Sequence, residues 1–118
     1  DFYPIIDIKI KGRSGFFETE AYIDSGASTS IFLAKTAEYL GIDITKGKLT
    51  HTMIGDGSHI PVYIHKVSVK IGNYSFRATL GFSSQLGAGF NLIGQKDFFD
   101  RFIVTFNKRK RRVSFKPF

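Results

Sequence analysis

The sequence predicts a mainly β protein, a small closed β-barrel of short strands with one or two short helices. Three observations predict it. Apolar and polar residues alternate with period two along most of the 118 residues. Gly-containing turns separate the alternating runs. The helical period surfaces in only two short stretches. The length is that of a single domain over residues 1–118, with no linker, repeat or low-complexity segment. A hydrophobic fraction of 42%, with 13 Phe, is enough to fill a core, and the alternating Phe are expected to be mostly inside.

The elements follow in order. Ile6, Ile8 and Ile10 alternate with Asp7, Lys9 and Lys11, and Gly12-Arg13-Ser14-Gly15 turns the chain. Phe17, Thr19, Ala21 and Ile23 then share one strand face, opposite Glu18 and Glu20, and this strand runs into Asp24. Leu33, Ala37 and Leu40 recur at helical spacing, and Gly41 sits where a left-handed cap ends a helix. Strands are expected at Leu49–Ile54 and Ile60–Ile64 around Gly55-Asp56-Gly57-Ser58. Two more are expected through Val67, Val69 and Ile71 and through Tyr74, Phe76, Ala78 and Leu80, with a turn at Gly72-Asn73. A loose stretch runs from Gly81 to Gly89. Asn91-Leu92-Ile93-Gly94 reads as a brief apolar strand, and Gln95–Phe102 as a short helix. Phe102, Val104 and Phe106 face Val113, Phe115 and Pro117 across a basic turn.

Composition narrows the chemistry. There is no Cys, which excludes disulfides, thiol nucleophiles and thiolate metal sites. That fits a reducing cytosol but leaves other compartments open. No apolar run approaches the roughly 18 residues of a membrane-spanning helix. The opening Asp in place of Met points to a processed or trimmed chain, with any targeting or membrane segment outside it. His51, His59 and His65 fit no compact ligand spacing, so neither metal nor cofactor is expected. Gly87-Ala88-Gly89 lacks the Lys-Ser/Thr of a phosphate loop. The net charge of +7 is local, since five of the 17 basic residues form the run Lys108–Arg112. That run is expected to be a solvated hairpin turn, with nucleic acid or an anionic surface as the competing partner reading.

Asp24 is the candidate catalytic residue. A strand end fixes its backbone, Ser25 adds a hydroxyl, Gly26 permits a turn or a close backbone approach, and Ala27 leaves room. Taken alone, Asp-Ser-Gly reads first as a turn or helix start, with Asp24 capping the Ser28–Leu33 segment. Two later segments change the weight: Gly55-Asp56-Gly57 and Phe90-Asn91-Leu92-Ile93-Gly94.

Together these motifs resemble the retropepsin family, the single-domain aspartic proteases of retroviral type and their cellular relatives. In that family a strand ends in Asp-Thr/Ser-Gly-Ala, a Gly-rich flap hairpin follows, and two apolar residues and Gly precede a short helix. This chain carries all of these in order. Phe98-Phe99-Asp100-Arg101-Phe102 also resembles the segment after that Gly in cellular members. The resemblance implies that Asp24 is the catalytic aspartate and that Ser25 locks the active-site loops across a dimer. Gly26 and Ala27 would line the cleft floor, and Leu92, Ile93 and Gly94 would brace the catalytic loop. Met53, Ile54, Gly55, Asp56, Gly57 and Ser58 would form the substrate-binding flap. Met53, Ile54, Ile60 and the 82–86 segment imply an apolar cleft, with hydrophobic side chains preferred beside the scissile bond.

Retroviral members have an acid at the position of Ser28 and an Arg at that of Gln95, which pair; here both are neutral. The chain holds one Asp-Ser-Gly motif, so a shared-proton pair of carboxylates requires a second copy, with peptide or protein as substrate. The expected function is therefore a homodimeric aspartic endopeptidase. The competing class is a retropepsin-like dimerisation or peptide-binding module with little chemistry.

Overall fold

The computed structural model describes residues 4–87 and 89–118. The opening Asp1 and Ala88 of the Gly-Ala-Gly stretch therefore lie outside the described residues. The first alternating run forms β1 (Ile5–Gly12), which turns at Arg13-Ser14 into β2 (Gly15–Ile23) in the expected antiparallel register, Gly12 opposite Gly15. Ile8, Ile10, Ala21 and Ile23 point into the core. Phe17 does not; although its partner Ile10 is buried, it is 41% exposed and lines a surface groove with Leu33, Tyr39 and Leu40.

A strand that the alternation did not announce, β3 (Ser30–Leu33), lies between the Asp24 loop and the helix α1 (Ala34–Leu40). Its run Ser-Ile-Phe-Leu is too short to show a period, and it is buried rather than amphipathic. The helix ends on Gly41 in the left-handed region, as its spacing predicted. A 3-10 turn at Ile44–Lys46 leads to β4 (Lys48–Met53). The next two expected strands are one: β5 (His59–Ile71) runs for 13 residues, pairing with β4 through its first half and β6 (Tyr74–Ser83) through its second. The expected loose stretch thus starts later, since Gly81–Ser83 continue β6 and pair in parallel with β3.

The short strand β7 (Leu92–Ile93) pairs in parallel with β2 and antiparallel with β3. Sheet order is β1-β2-β7-β3-β6-β5-β4, and an extra β1–β5 pairing joins six of the seven strands in a ring, with β4 outside it. The core inside is built from Ile8, Ile10, Phe32, Val69, Leu80, Phe82, Ile93 and Phe98 with their neighbours. Five Phe are buried (Phe32, Phe76, Phe82, Phe98 and Phe102), whereas Phe16, Phe17, Phe90, Phe106 and Phe118 are exposed. Core placement of the Phe therefore holds only for part of them.

The helix expected over Gln95–Phe102 is absent. The chain makes isolated turns there, Phe99 N to Gln95 O and Phe102 N to Phe98 O, interrupted by Asp97 at φ +68. The interruption has a cause: Asp97 Oδ2 accepts the Thr79 backbone N–H at 2.7 Å, and Asp tolerates the left-handed region. Beyond it, β8 (Phe102–Asn107) and β9 (Arg112–Pro117) form a separate two-stranded sheet in the expected register.

Candidate active site

Asp24 follows the last residue of β2 and is half-buried. Its backbone N–H donates to Ile93 O at 2.9 Å, so the end of β7 fixes where the carboxylate starts. The turn is closed by Ala27 N to Asp24 O (3.1 Å), while Asp24 Oδ1 accepts the Gly26 N–H at 3.0 Å. Ser25 and Gly26 form the exposed outer edge of this loop.

Residues 93–96 lace the loop from the other side. Gln95 N donates to Ala27 O (2.9 Å), Lys96 N to Ser28 O (3.0 Å) and Gln95 Nε2 to Ser25 O (2.6 Å). Gly94 N donates to the buried Ser30 Oγ at 2.9 Å. Gly94 must be Gly: a Cβ there would stand 2.7 Å from Thr29 C and O and 2.8 Å from Ala27 O, all backbone atoms. Leu92 is half-buried and Ile93 fully buried, so the two apolar residues anchor this strap in the core. Ser28 and Gln95 do not pair by side chain; Gln95 reaches the Ser25 carbonyl instead.

Two contributors escaped the sequence reading. Asn91, 5% exposed, accepts from Leu33 N (2.9 Å) and Thr36 Oγ1 (3.1 Å) through Oδ1. Its Nδ2 donates to Glu20 O (3.0 Å), and its carbonyl accepts Tyr22 N. One side chain thus ties β2, β3 and α1 together just before the strap. The other is Ser30, the hydroxyl beneath Gly94. For Asn91 the signal was a polar residue between Phe90 and Leu92, which needs a partner if buried, whereas Ser30 ends the polar run Ser28-Thr29-Ser30 and carried no such signal.

The hairpin between β4 and β5 carries the predicted flap residues. Met53 pairs with His59, and Ile54 N donates to Ser58 O at 2.9 Å. Gly57 N closes on Ile54 O with φ +87 at Gly57. Asp56 Oδ1 accepts both Ser58 Oγ (2.5 Å) and Ser58 N (2.9 Å), and these bonds hold its carboxyl below the usual range. Gly55 to Ser58 are exposed, and Met53 is 63% exposed. Ile54 packs instead against the small cluster of Ile31, Ile60, Val62 and Leu86. The expected apolar cleft loses Phe82, which is wholly inside the core.

His65 binds Ile44 O through Nε2 at 2.8 Å and stacks edge-on to Phe82, a structural role. His51 and His59 are exposed. Among the described residues no group of three or more His, Cys, Asp or Glu converges on a point, and no helix is long and apolar enough to cross a membrane. Two surface grooves, of about 390 and 320 Å³, are lined by residues other than Asp24 and the flap.

Compared with known protein families, residues 6–82 match the model described as Aspartyl protease. The matched span takes in the Asp24 loop and the β4–β5 hairpin and ends before the 92–94 strap. No curated protein matches the chain.

Proposed function

Because the chain belongs to the aspartyl protease family, we propose that it is a homodimeric endopeptidase of retropepsin type. In this reading the ring of strands is that family's small closed barrel, and the 53–58 hairpins are flaps over a shared cleft. Water sits between two Asp24 carboxylates, one from each subunit.

The chemistry follows from the pairing. Two carboxyls about 3 Å apart cannot both ionise, so they hold one proton between them. The ionised one takes a proton from the water as it attacks the peptide carbonyl carbon, and the protonated one gives its proton to the carbonyl oxygen. The tetrahedral product collapses when the amide nitrogen is protonated and the C–N bond breaks.

The observation that carries this reading is the double clamping of Asp24, by Ile93 O at its own N–H and by the 94–96 strap on its loop. A turn that merely caps β3 has no need of that strap. In this reading a second backbone approaches the loop at Gly26, where a Cβ would meet only Asp24 Oδ1, at 3.4 Å.

The test is a casein or peptide-library digest from acidic to neutral pH, with dimer formation followed by sedimentation. Asp24→Asn is expected to abolish cleavage without changing the sedimentation. Cleavage that survives the substitution, or that never appears in a confirmed dimer, contradicts the reading; the second result favours a peptide-binding or dimerisation module.

A further inference from the structure

The net charge of +7 resides entirely at the end of the chain. Residues 1–100 hold ten basic and ten acidic side chains; residues 101–118 hold seven basic and none acidic. Five of those seven are consecutive, and the fold places them at the outer end of the β8–β9 ribbon, with the turn at 108–111.

The ribbon is fastened at its base and bare at its tip. Phe102 is buried, with ring centroids 5.4 Å from Phe76, 5.1 Å from Tyr74 and 5.3 Å from Phe115. From residue 105 to residue 112 every side chain is exposed. Phe106, opposite Val113, is 43% exposed and lies beyond the packed cluster. On the other face Ile103 is 47% exposed opposite Lys116.

The ribbon also sits away from the flap. The groove beneath it is lined by Ile71, Gly72 and Tyr74 together with Val113 and Phe115, which places it at the far end of β5. The near end of β5, His59, borders the flap turn. Thirteen extended residues at about 3.3 Å each separate the two by up to about 40 Å. A partner at the ribbon tip leaves the flap open.

We propose that the β8–β9 tip is a docking surface for anionic lipid membranes. Lys108, Arg109, Lys110 and Arg112 present their charges at the exposed end of the ribbon, where a flat negative surface meets them together, and residues 101–118 hold no acidic side chain. Exposed Phe106, on the rung next to the turn-closing pair Asn107 and Arg112, decides between polyanions. At a bilayer it enters the headgroup layer beside the cations, whereas contacts to nucleic acid phosphates use the cations alone and leave it in water. The inference is independent of the peptidase reading.

The test is co-sedimentation of the whole chain with phosphatidylcholine vesicles, with and without about one-third phosphatidylserine, at about 0.1 M salt where screening sets in over about 10 Å. Each cation contributes about five-fold in partitioning. The triple variant Lys108→Ala/Arg109→Ala/Lys110→Ala is therefore expected to bind on the order of 100-fold more weakly. Phe106→Ser is expected to bind several-fold more weakly with the same salt dependence. Circular dichroism checks that both variants fold. Equal binding to neutral and anionic vesicles overturns the proposal. So does displacement of the vesicles by duplex DNA with Phe106→Ser indistinguishable from wild type, which assigns the ribbon to nucleic acid.

Discussion

Gly94 and Asn91 set the position of Asp24 without touching anything that would react. Gly94→Ala drives a methyl against three backbone atoms that cannot swing away, so a loss of about 1–3 kcal/mol in urea unfolding is expected. Asn91→Leu is near in size but strands the Leu33 N–H and the Glu20 carbonyl; about 3 kcal/mol is expected, with cleavage falling further than stability explains. Gly94 was legible because the motif Leu-Ile-Gly is local. Asn91 was not, because its partners lie 55 to 72 residues away in sequence, and no local pattern records a bond across that distance. The position of Asp24 at the end of a strand was legible, while the bonds that hold it came only from the fold.

At the scale of elements, the turn between β4 and β5 is expected to respond to pH. Hydrogen bonds from Ser58 Oγ and N lower the Asp56 carboxyl, so the ionised form stabilises the turn. That contribution is complete above the ordinary carboxylate range and lost as pH falls through the lowered value. The protection of the Ser58 amide against exchange, relative to its intrinsic rate at each pH, should fall there in the wild type and stay level in Asp56→Asn, whose side-chain oxygen still accepts but does not titrate. The 95–102 segment teaches the opposite lesson about legibility. Its apolar spacing is helical, yet Asp97 leaves the helix to satisfy Thr79 N, and Phe98 becomes a core plug edge-on to Phe76 at 5.5 Å. Phe98→Ala should cost about 3–5 kcal/mol in thermal or urea unfolding. The antiparallel hairpins β1–β2, β5–β6 and β8–β9 were readable because alternation and a short turn specify them locally. The parallel pairs β2–β7 and β3–β6 were not, since nothing near either strand names its partner.

For the whole molecule, the closing β1–β5 contact makes a ring around one core, and that ring carries three separate devices: a clamped carboxylate loop, the β4–β5 hairpin, and a charged ribbon at the far end of β5. The mainly β character followed from alternation, although β3 was not announced and two expected strands proved to be the single β5, and the single Asp-Ser-Gly motif made a second chain necessary for any carboxylate pair. The central claim is that two chains each give one Asp24. It is tested most directly by adding Asp24→Asn chains to a fixed amount of wild type and following peptide cleavage with substrate in excess. A mixed dimer holds one carboxylate and one carboxamide, which cannot share a proton in the required way. The rate should fall by half at equal amounts and approach zero in excess of the variant; a rate that stays constant through the titration contradicts the shared site.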